Sequence, residues 1–198
     1  MGTQPGSDGP GPPDPDQVHP ATRAAWRRWL ADHHATSPGV WVVSWKRHTG
    51  RPRPGYEALV EEALCFGWID SQAKTVDADR SMQRFTPRRA GSVWVRSNKE
   101  RVARLVAAGR MAPAGLAKVE AAKADGSWTA YEPVEAMEVP DDLAAALAAD
   151  PDARFGWEAL SRTARQQLLW GVISAKREET RARRIVAAVA AARERATS

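Results

Sequence analysis

A single cysteine, Cys65, stands in a chain of 198 residues. No intrachain disulfide can form, and a chain of this length buries a sufficient core without one. Phenylalanine and tyrosine are scarce, three and two residues against nine tryptophans. Indoles must therefore supply most of the bulky core, and because each N–H needs a partner, several should sit at the core's edge. No run approaches the about 20 apolar residues of a membrane-spanning helix. The start of the chain lacks a basic segment followed by an apolar one. Gly2 is followed at position six by Gly6, where a myristoylation signal needs Ser or Thr. These absences point to a cytoplasmic protein with no membrane span.

Catalytic signatures are missing as well. Neither G-x-G-x-x-G nor G-x-x-x-x-G-K-[ST] occurs, so no phosphate cradle is readable. No G-x-S-x-G elbow offers a serine nucleophile. Cys65 precedes Phe66 on an apolar stripe without a supporting His or Asn, which marks a buried structural thiol. His33 and His34 are neighbours on a helix, diverge by about 100°, and have no third ligand at zinc spacing. No cofactor and no metal are expected, and the balance leans away from an enzyme.

What is present is an excess of cations: 29 Lys and Arg against 24 Asp and Glu, a net charge of +5. Arginine dominates the excess and is spread along the chain, which suits solubility as well as it suits an anionic partner. Residues 1–16, rich in Gly and Pro, should form a disordered tail. A helix is expected over 17–34, with Val18, Ala21, Ala25 and Trp29 on one side beside Trp26 and Leu30. Alternation over 40–46 predicts a strand, and a broad apolar stripe over 56–66 predicts a helix, with Gly67 in the left-handed position beyond it. Strands follow over 68–76 and 81–86, joined by Asp77-Ala78-Asp79-Arg80. Ser97 and Glu100 have capping-box spacing for a helix burying Val102, Leu105 and Val106. Pro113 opens another with Leu116 and Val119 inside. Residues 128–139 read as an irregular acidic strap. Beyond them Asp141 and Ser161 can cap helices, and a last helix begins near Glu178.

The expected fold is a helix-rich α+β one: a small antiparallel sheet of about three strands packed with helices, followed by a C-terminal helical module. The expected organisation is tail 1–16, α+β core 17–130 and helical module 131–198.

Four segments, Ala63-Leu-Cys-Phe-Gly-Trp-Ile-Asp70, Gln83-Arg-Phe-Thr-Pro-Arg-Arg89, Ser92-Val-Trp-Val-Arg-Ser-Asn98 and Gly109-Arg-Met-Ala-Pro-Ala-Gly-Leu116, resemble the signature of the YdeI/OmpD-associated family. Ala175-Lys-Arg-Glu-Glu-Thr-Arg-Ala-Arg-Arg-Ile185 is similar to that family's C-terminal helical module, so the resemblance runs over about residues 17–190. It implies a link to bacteriocin protection, to tolerance of cationic antimicrobial peptides and to an outer-membrane porin. It brings no catalytic residues and no cofactor.

One candidate ligand-binding surface is the polar face of the sheet. Unbroken alternation sets Trp68, Asp70 and Lys74 on one side. Arg84 and Lys46 can face them from neighbouring strands, Arg88, Ser92, Trp94 and Asn98 follow, and Tyr56 opens the preceding helix. Such a set can hold a small anionic or planar ligand; a solvated, ion-paired sheet face accounts for the same residues. A second candidate is a polyanion-binding helix face of Arg177, Arg181 and Arg184, for which a solvated face is again the alternative. Three functions stay open: a non-catalytic binding protein with a small anionic ligand or an unidentified protein partner, a nucleic-acid or polyanion binder, and an enzyme acting at Asp70, Lys74 and Arg84.

Overall fold

The computed structural model describes residues 17–197; the tail expected over 1–16 lies outside them. Among the described residues there are nine α-helices and four strands, an α+β arrangement ending in helices. The chain divides into two compact units. One holds the residues up to Ser92 together with Ser97–Asp125, the other Val93–Arg96 and the residues from Gly126 on.

The first unit is built on a sheet of order β1-β2-β4-β3, with β1 Gln17–Val18, β2 Val40–Trp45, β3 Trp68–Thr75 and β4 Arg80–Pro87. Three strands run antiparallel as the alternation predicts, but β1 lies parallel to β2. The sheet is therefore mixed and four-stranded rather than antiparallel and three-stranded. Gln17 and Val18 pair with Trp41 and Val42 instead of starting the helix. That helix, α1, is Arg23–His33, opened by Thr22, whose hydroxyl accepts from Ala25 N–H at 3.1 Å. Pro20 just before it cannot donate to a helix ladder, which fits the later start.

Residues opposite one another share a face, so Val40, Val42, Phe85 and Trp68 form the inner side, all fully buried. Trp26 and Leu30, one helical turn apart on α1, cover that side; the Trp26 ring lies 5.4 Å from Phe85, and Trp29 meets Trp68 edge-on at 5.8 Å. The buried indoles find acceptors. Trp26 Nε1 donates to the Leu59 carbonyl at 3.0 Å and Trp68 Nε1 to the His34 carbonyl at 3.2 Å.

Helix α2, Tyr56–Cys65, ends where Gly67 takes φ 74°, as its position predicts. Within its apolar length sits Glu62, with no solvent exposure. Arg23 and Arg27 of α1 reach it at 2.5 and 2.7 Å, and Arg110 closes the third side. Arg27 also donates to the Arg110 carbonyl at 2.9 Å, and Arg23 pairs with Glu61 at 2.7 Å. A carboxylate removed from water is tolerable only when paired and hydrogen-bonded, and three guanidiniums meet that need.

Two expected core positions face solvent instead. In α3, Arg96–Ala107, Val102 and Leu105 are buried but Val106 is 49% exposed, and Ser97 lies inside the helix rather than ahead of it. In α4, Pro113–Ala124, Leu116 is 41% exposed while Gly115, Val119 and Ala122 turn inward. The reason is contact distance: a Cβ on Gly115 would overlap the Cys65 carbonyl, so α4 approaches α2 through its smallest residue.

The second unit contains α5 Glu132–Glu135, α6 Asp141–Ala148, α7 Pro151–Ala159, α8 Arg162–Ile173 and α9 Glu178–Ala196. The strap expected over 128–139 thus holds a short helix and buries Val134 completely. Asp150 caps α7 through Ala153 N–H at 3.0 Å and Ser161 caps α8 through Ala164 N–H at 3.2 Å, whereas Asp141 falls within the first turn of α6. Its core joins Val134, Leu143, Leu147, Trp157, Leu169 and Val172 to Ala153, Ala188 and Ala192. Small residues let α7 and α9 pack closely, and a Cβ on Gly156 would overlap the Ala192 carbonyl.

Two stability measurements follow. Glu62→Ala leaves three guanidiniums around an empty site and should cost about 3–5 kcal/mol in urea unfolding, with Glu62→Gln recovering part of it. Gly156→Ala should lower stability by about 1–3 kcal/mol through overpacking. Gly171→Ala, in α8 with nothing within 4 Å, should raise it by up to about 1 kcal/mol through helix propensity. Equal effects of the two glycine substitutions would contradict the close α7–α9 approach.

Candidate functional site

At the end of the sheet where β3 begins, the N-terminus of α2 and the start of α3 bring polar side chains together. The Tyr56 hydroxyl donates to Asp70 Oδ2 at 2.6 Å. Arg88, directly after β4, is only 5% exposed and donates from Nη1 to the Ser92 carbonyl at 3.2 Å. Asn98 is buried and accepts at Oδ1 from Arg101 Nη1 at 2.9 Å. Arg101 in turn grips Glu57 with two parallel bonds of 2.9 and 2.8 Å.

The electrostatics follow from this geometry. Burial holds the Arg88 guanidinium down to about 10, partly offset by the Asp70 charge. Desolvation of the Tyr56 hydroxyl, reinforced by its bond to Asp70, pushes the phenol up to about 12. The Arg101 bonds hold the Glu57 carboxyl below its usual range. The result is a patch with a desolvated cation, a carboxylate, an exposed phenol and a positioned guanidinium. It can take an anionic group at the arginines and a donor at Asp70.

Five of the ten expected ligand residues are in this patch: Tyr56, Asp70, Arg88, Ser92 and Asn98. The other five are not, and for Lys74 and Arg84 the reason is a bulge. Asp70 pairs with Phe85 but Ala73 pairs with Gln83, so Ser71 and Gln72 together oppose Arg84 alone. The surplus residue reverses the alternation. Asp70 therefore lies on the Phe85 side, while Lys74 pairs with Met82 on the opposite side. There Lys74 Nζ and the Arg84 guanidinium lie 4.6 and 5.8 Å from the Trp41 ring centroid. The grouping of Asp70 with Lys74 and Arg84 is not formed. Lys46 is bound at the far end of the sheet, donating from Nζ to the Asp77 carbonyl at 2.7 Å. Trp68 is in the core, and Trp94 is buried in the second unit, its ring 5.0 Å from Trp128.

The arginines of α9 are also partly engaged. Arg181 makes bonds of 2.6 and 2.9 Å to Asp142, and Arg184 donates to the Gly171 carbonyl and to Ser174 Oγ. Arg177, the residue before the helix, is exposed. Two of the three thus hold the helical module together. Cys65 is buried, and burial pushes its thiol up, away from the thiolate. His33 hydrogen-bonds the Trp29 carbonyl at 2.8 Å, His34 the Leu30 carbonyl at 3.0 Å, and His48 meets Asp79 at 3.1 Å.

The expected set omits Arg101, Glu57 and the Glu62 cluster. A signal for the last was readable: Glu61-Glu62 interrupts an apolar helix, and Arg23 and Arg27 stand four apart on another. Arg101 follows Asn98 by three residues on one helix, spacing that brings the two side chains together.

Residues 18–118 match a domain of unknown function (DUF8412), and residues 136–195 match the family described as bacteriocin-protection, YdeI or OmpD-associated. All four segments between Ala63 and Leu116 therefore fall within the former match, and the segment from Ala175 to Ile185 within the latter. No curated protein and no solved structure matches the chain. No helix among the described residues is long and apolar enough to cross a membrane.

The Tyr56–Asp70 bond has a spectroscopic consequence. In Tyr131→Phe, where Tyr56 is the one remaining tyrosine, absorbance at 295 nm should report phenol ionisation near pH 12. Adding Asp70→Asn should move it back toward 10, the ordinary value. Because the folded pKa is raised, the stabilisation is complete below pH 10 and fades between about 10 and 12. An unchanged midpoint on Asp70→Asn would mean that the carboxylate does not hold the phenol.

Proposed function

We propose that this protein, which belongs to the family of the domain of unknown function DUF8412 over residues 18–118 and carries a bacteriocin-protection, YdeI or OmpD-associated module over 136–195, is a non-catalytic cytoplasmic binding protein. Its ligand is a small anion that also carries a hydrogen-bond donor, the anionic group held at Arg88 and Arg101 and the donor at Asp70 beside Tyr56, and its role is in tolerance of bacteriocins or antimicrobial peptides. The tolerance role rests on the description of the C-terminal family alone.

The observation that carries the binding reading is Arg88. A guanidinium 5% exposed and depressed to about 10 gains more from an incoming anion than a solvated one does. Arg101, fixed by Glu57 and Asn98, offers a second cation without needing to be ordered on binding. Catalysis finds less support. Tyr56 stays protonated through the physiological range, the Cys65 thiol is pushed up, and Lys74 and Arg84 stand on the other side of the sheet from Asp70.

Thermal-shift and calorimetric titration with carboxylates, inorganic phosphate, sugar phosphates and nucleotides, at low and moderate salt, test the reading. One of these should raise the melting temperature in a salt-tolerant way. Arg88→Gln should weaken its affinity by about tenfold or more, the loss of one charge-assisted hydrogen bond, and the exposed-site variant Tyr56→Phe should weaken it as well, because Asp70 loses the hydroxyl that positions it. Arg181→Gln should leave affinity unchanged. Silence across the panel, or shifts equal in Tyr56→Phe and the parent, would sink the proposal.

A further inference from the structure

The face of the sheet opposite Phe85 has a composition of its own. Trp41, Val43 and Trp45 of β2 alternate onto it, joined by Met82 and Arg84 of β4 and Lys74 of β3. Both tryptophans are half-buried. Around Trp41 lie Lys74 Nζ at 4.6 Å and the Arg84 guanidinium at 5.8 Å from the ring centroid. Around Trp45 lie the Arg51 and Arg80 guanidiniums at 4.2 and 6.0 Å, with the His19 ring at 5.0 Å. Among the described residues, the acidic groups that form ion pairs at this surface are at its hairpin end, where Asp77 pairs with Arg80 at 2.6 Å and Asp79 with His48 at 3.1 Å. Among the described residues no carboxylate forms an ion pair with Arg51, Lys74 or Arg84.

We propose that this face binds single-stranded nucleic acid, its bases stacking on Trp41 and Trp45 and its phosphates pairing with Arg51, Lys74 and Arg84. Each nucleotide presents one π face and one negative charge, the complement of an indole flanked by cations. The two tryptophans are four residues apart on one strand, about 13 Å, so one short strand can engage both. A cation resting on an indole can swing aside to a phosphate as a base takes the ring, exchanging one favourable contact for two. A duplex hides its base faces and cannot use the indoles. A lipid surface fits less well, because inserting side chains must reach deeper than the cations, and here the cations lie over the rings.

Intrinsic tryptophan fluorescence and gel mobility, with RNA and DNA strands of about 12 nucleotides, within the ~4–16 that sheet-based modules cover, test the assignment. Binding should exceed that of the matching duplex and quench fluorescence. Affinity should fall with salt at a log–log slope near −2, for about three phosphates. Trp41→Ala should weaken it by about 5- to 100-fold and Trp41→Phe by less, which separates lost stacking from lost folding. Lys74→Glu with Arg84→Glu should weaken it by about tenfold or more at an unchanged melting temperature. Arg88→Gln should have no effect, so failure here and failure of the small-anion site are distinguishable. The proposal is overturned by absence of oligonucleotide binding, by duplex binding insensitive to Trp41→Ala, by loss only on Arg177→Glu, or by attachment to phosphatidylserine vesicles without attachment to oligonucleotides.

Discussion

The first unit depends on one carboxylate that water cannot reach. Glu62 is acceptable at zero exposure only while Arg23, Arg27 and Arg110 surround it. That requirement fixes α1 against α2 in both rotation and height, because two of the guanidiniums come from successive turns of α1. It also anchors the turn after α3, because the third comes from Arg110. With α1 fixed, Trp26 and Leu30 can meet only the Phe85 side of the sheet. The same helix α2 carries Glu57 and Glu61 outward, where Arg101 and Arg104 of α3 bind them. A single helix thus positions its neighbours on both sides by charge, and its first residue, Tyr56, is delivered to Asp70 as a consequence.

How much of this was legible varied with the length and regularity of the signal. The strands over 40–45, 68–75 and 80–87, the helix over 56–65 and Gly67 beyond it follow from alternation, stripe and turn chemistry that extend over several residues. The two-residue strand β1 has no pattern to read; only its pairing with β2 defines it. The exposure of Val106 and Leu116 was equally hidden, since Gly115 sets which side of α4 faces α2 and no propensity records that approach. Glu62 contradicts the general rule that charge faces solvent, so the signs of its burial are indirect: its apolar flanks and the spacing of Arg23 and Arg27.

In the candidate site, the separation of Asp70 from Lys74 and Arg84 has one physical reason. Unbroken alternation carries strand phase through Ser71 and Gln72, neither of which is a Gly or Pro that would announce a bulge. Everything before that point, Asp70 with Tyr56 and Arg88, holds together. Everything after it, Lys74 with Arg84, moves to the other side and acquires Trp41 as its partner. The family matches divide the chain at another place: all four segments between Ala63 and Leu116 lie within the match to the domain of unknown function, and the bacteriocin-protection match covers residues 136–195.

The bulge also stores slack. Two residues of β3 stand where the partner strand supplies one, and the pairings on either side, Asp70 with Phe85 and Ala73 with Gln83, do not depend on the surplus. Loss of either Ser71 or Gln72 would let the ladder close over the gap while both flanking registers stay in place. Along this edge strand, length can therefore change by one residue without exchanging the inner and outer surfaces. A deletion elsewhere in β3 would be taken up at the bulge only by turning the side chains between the two points to the opposite side.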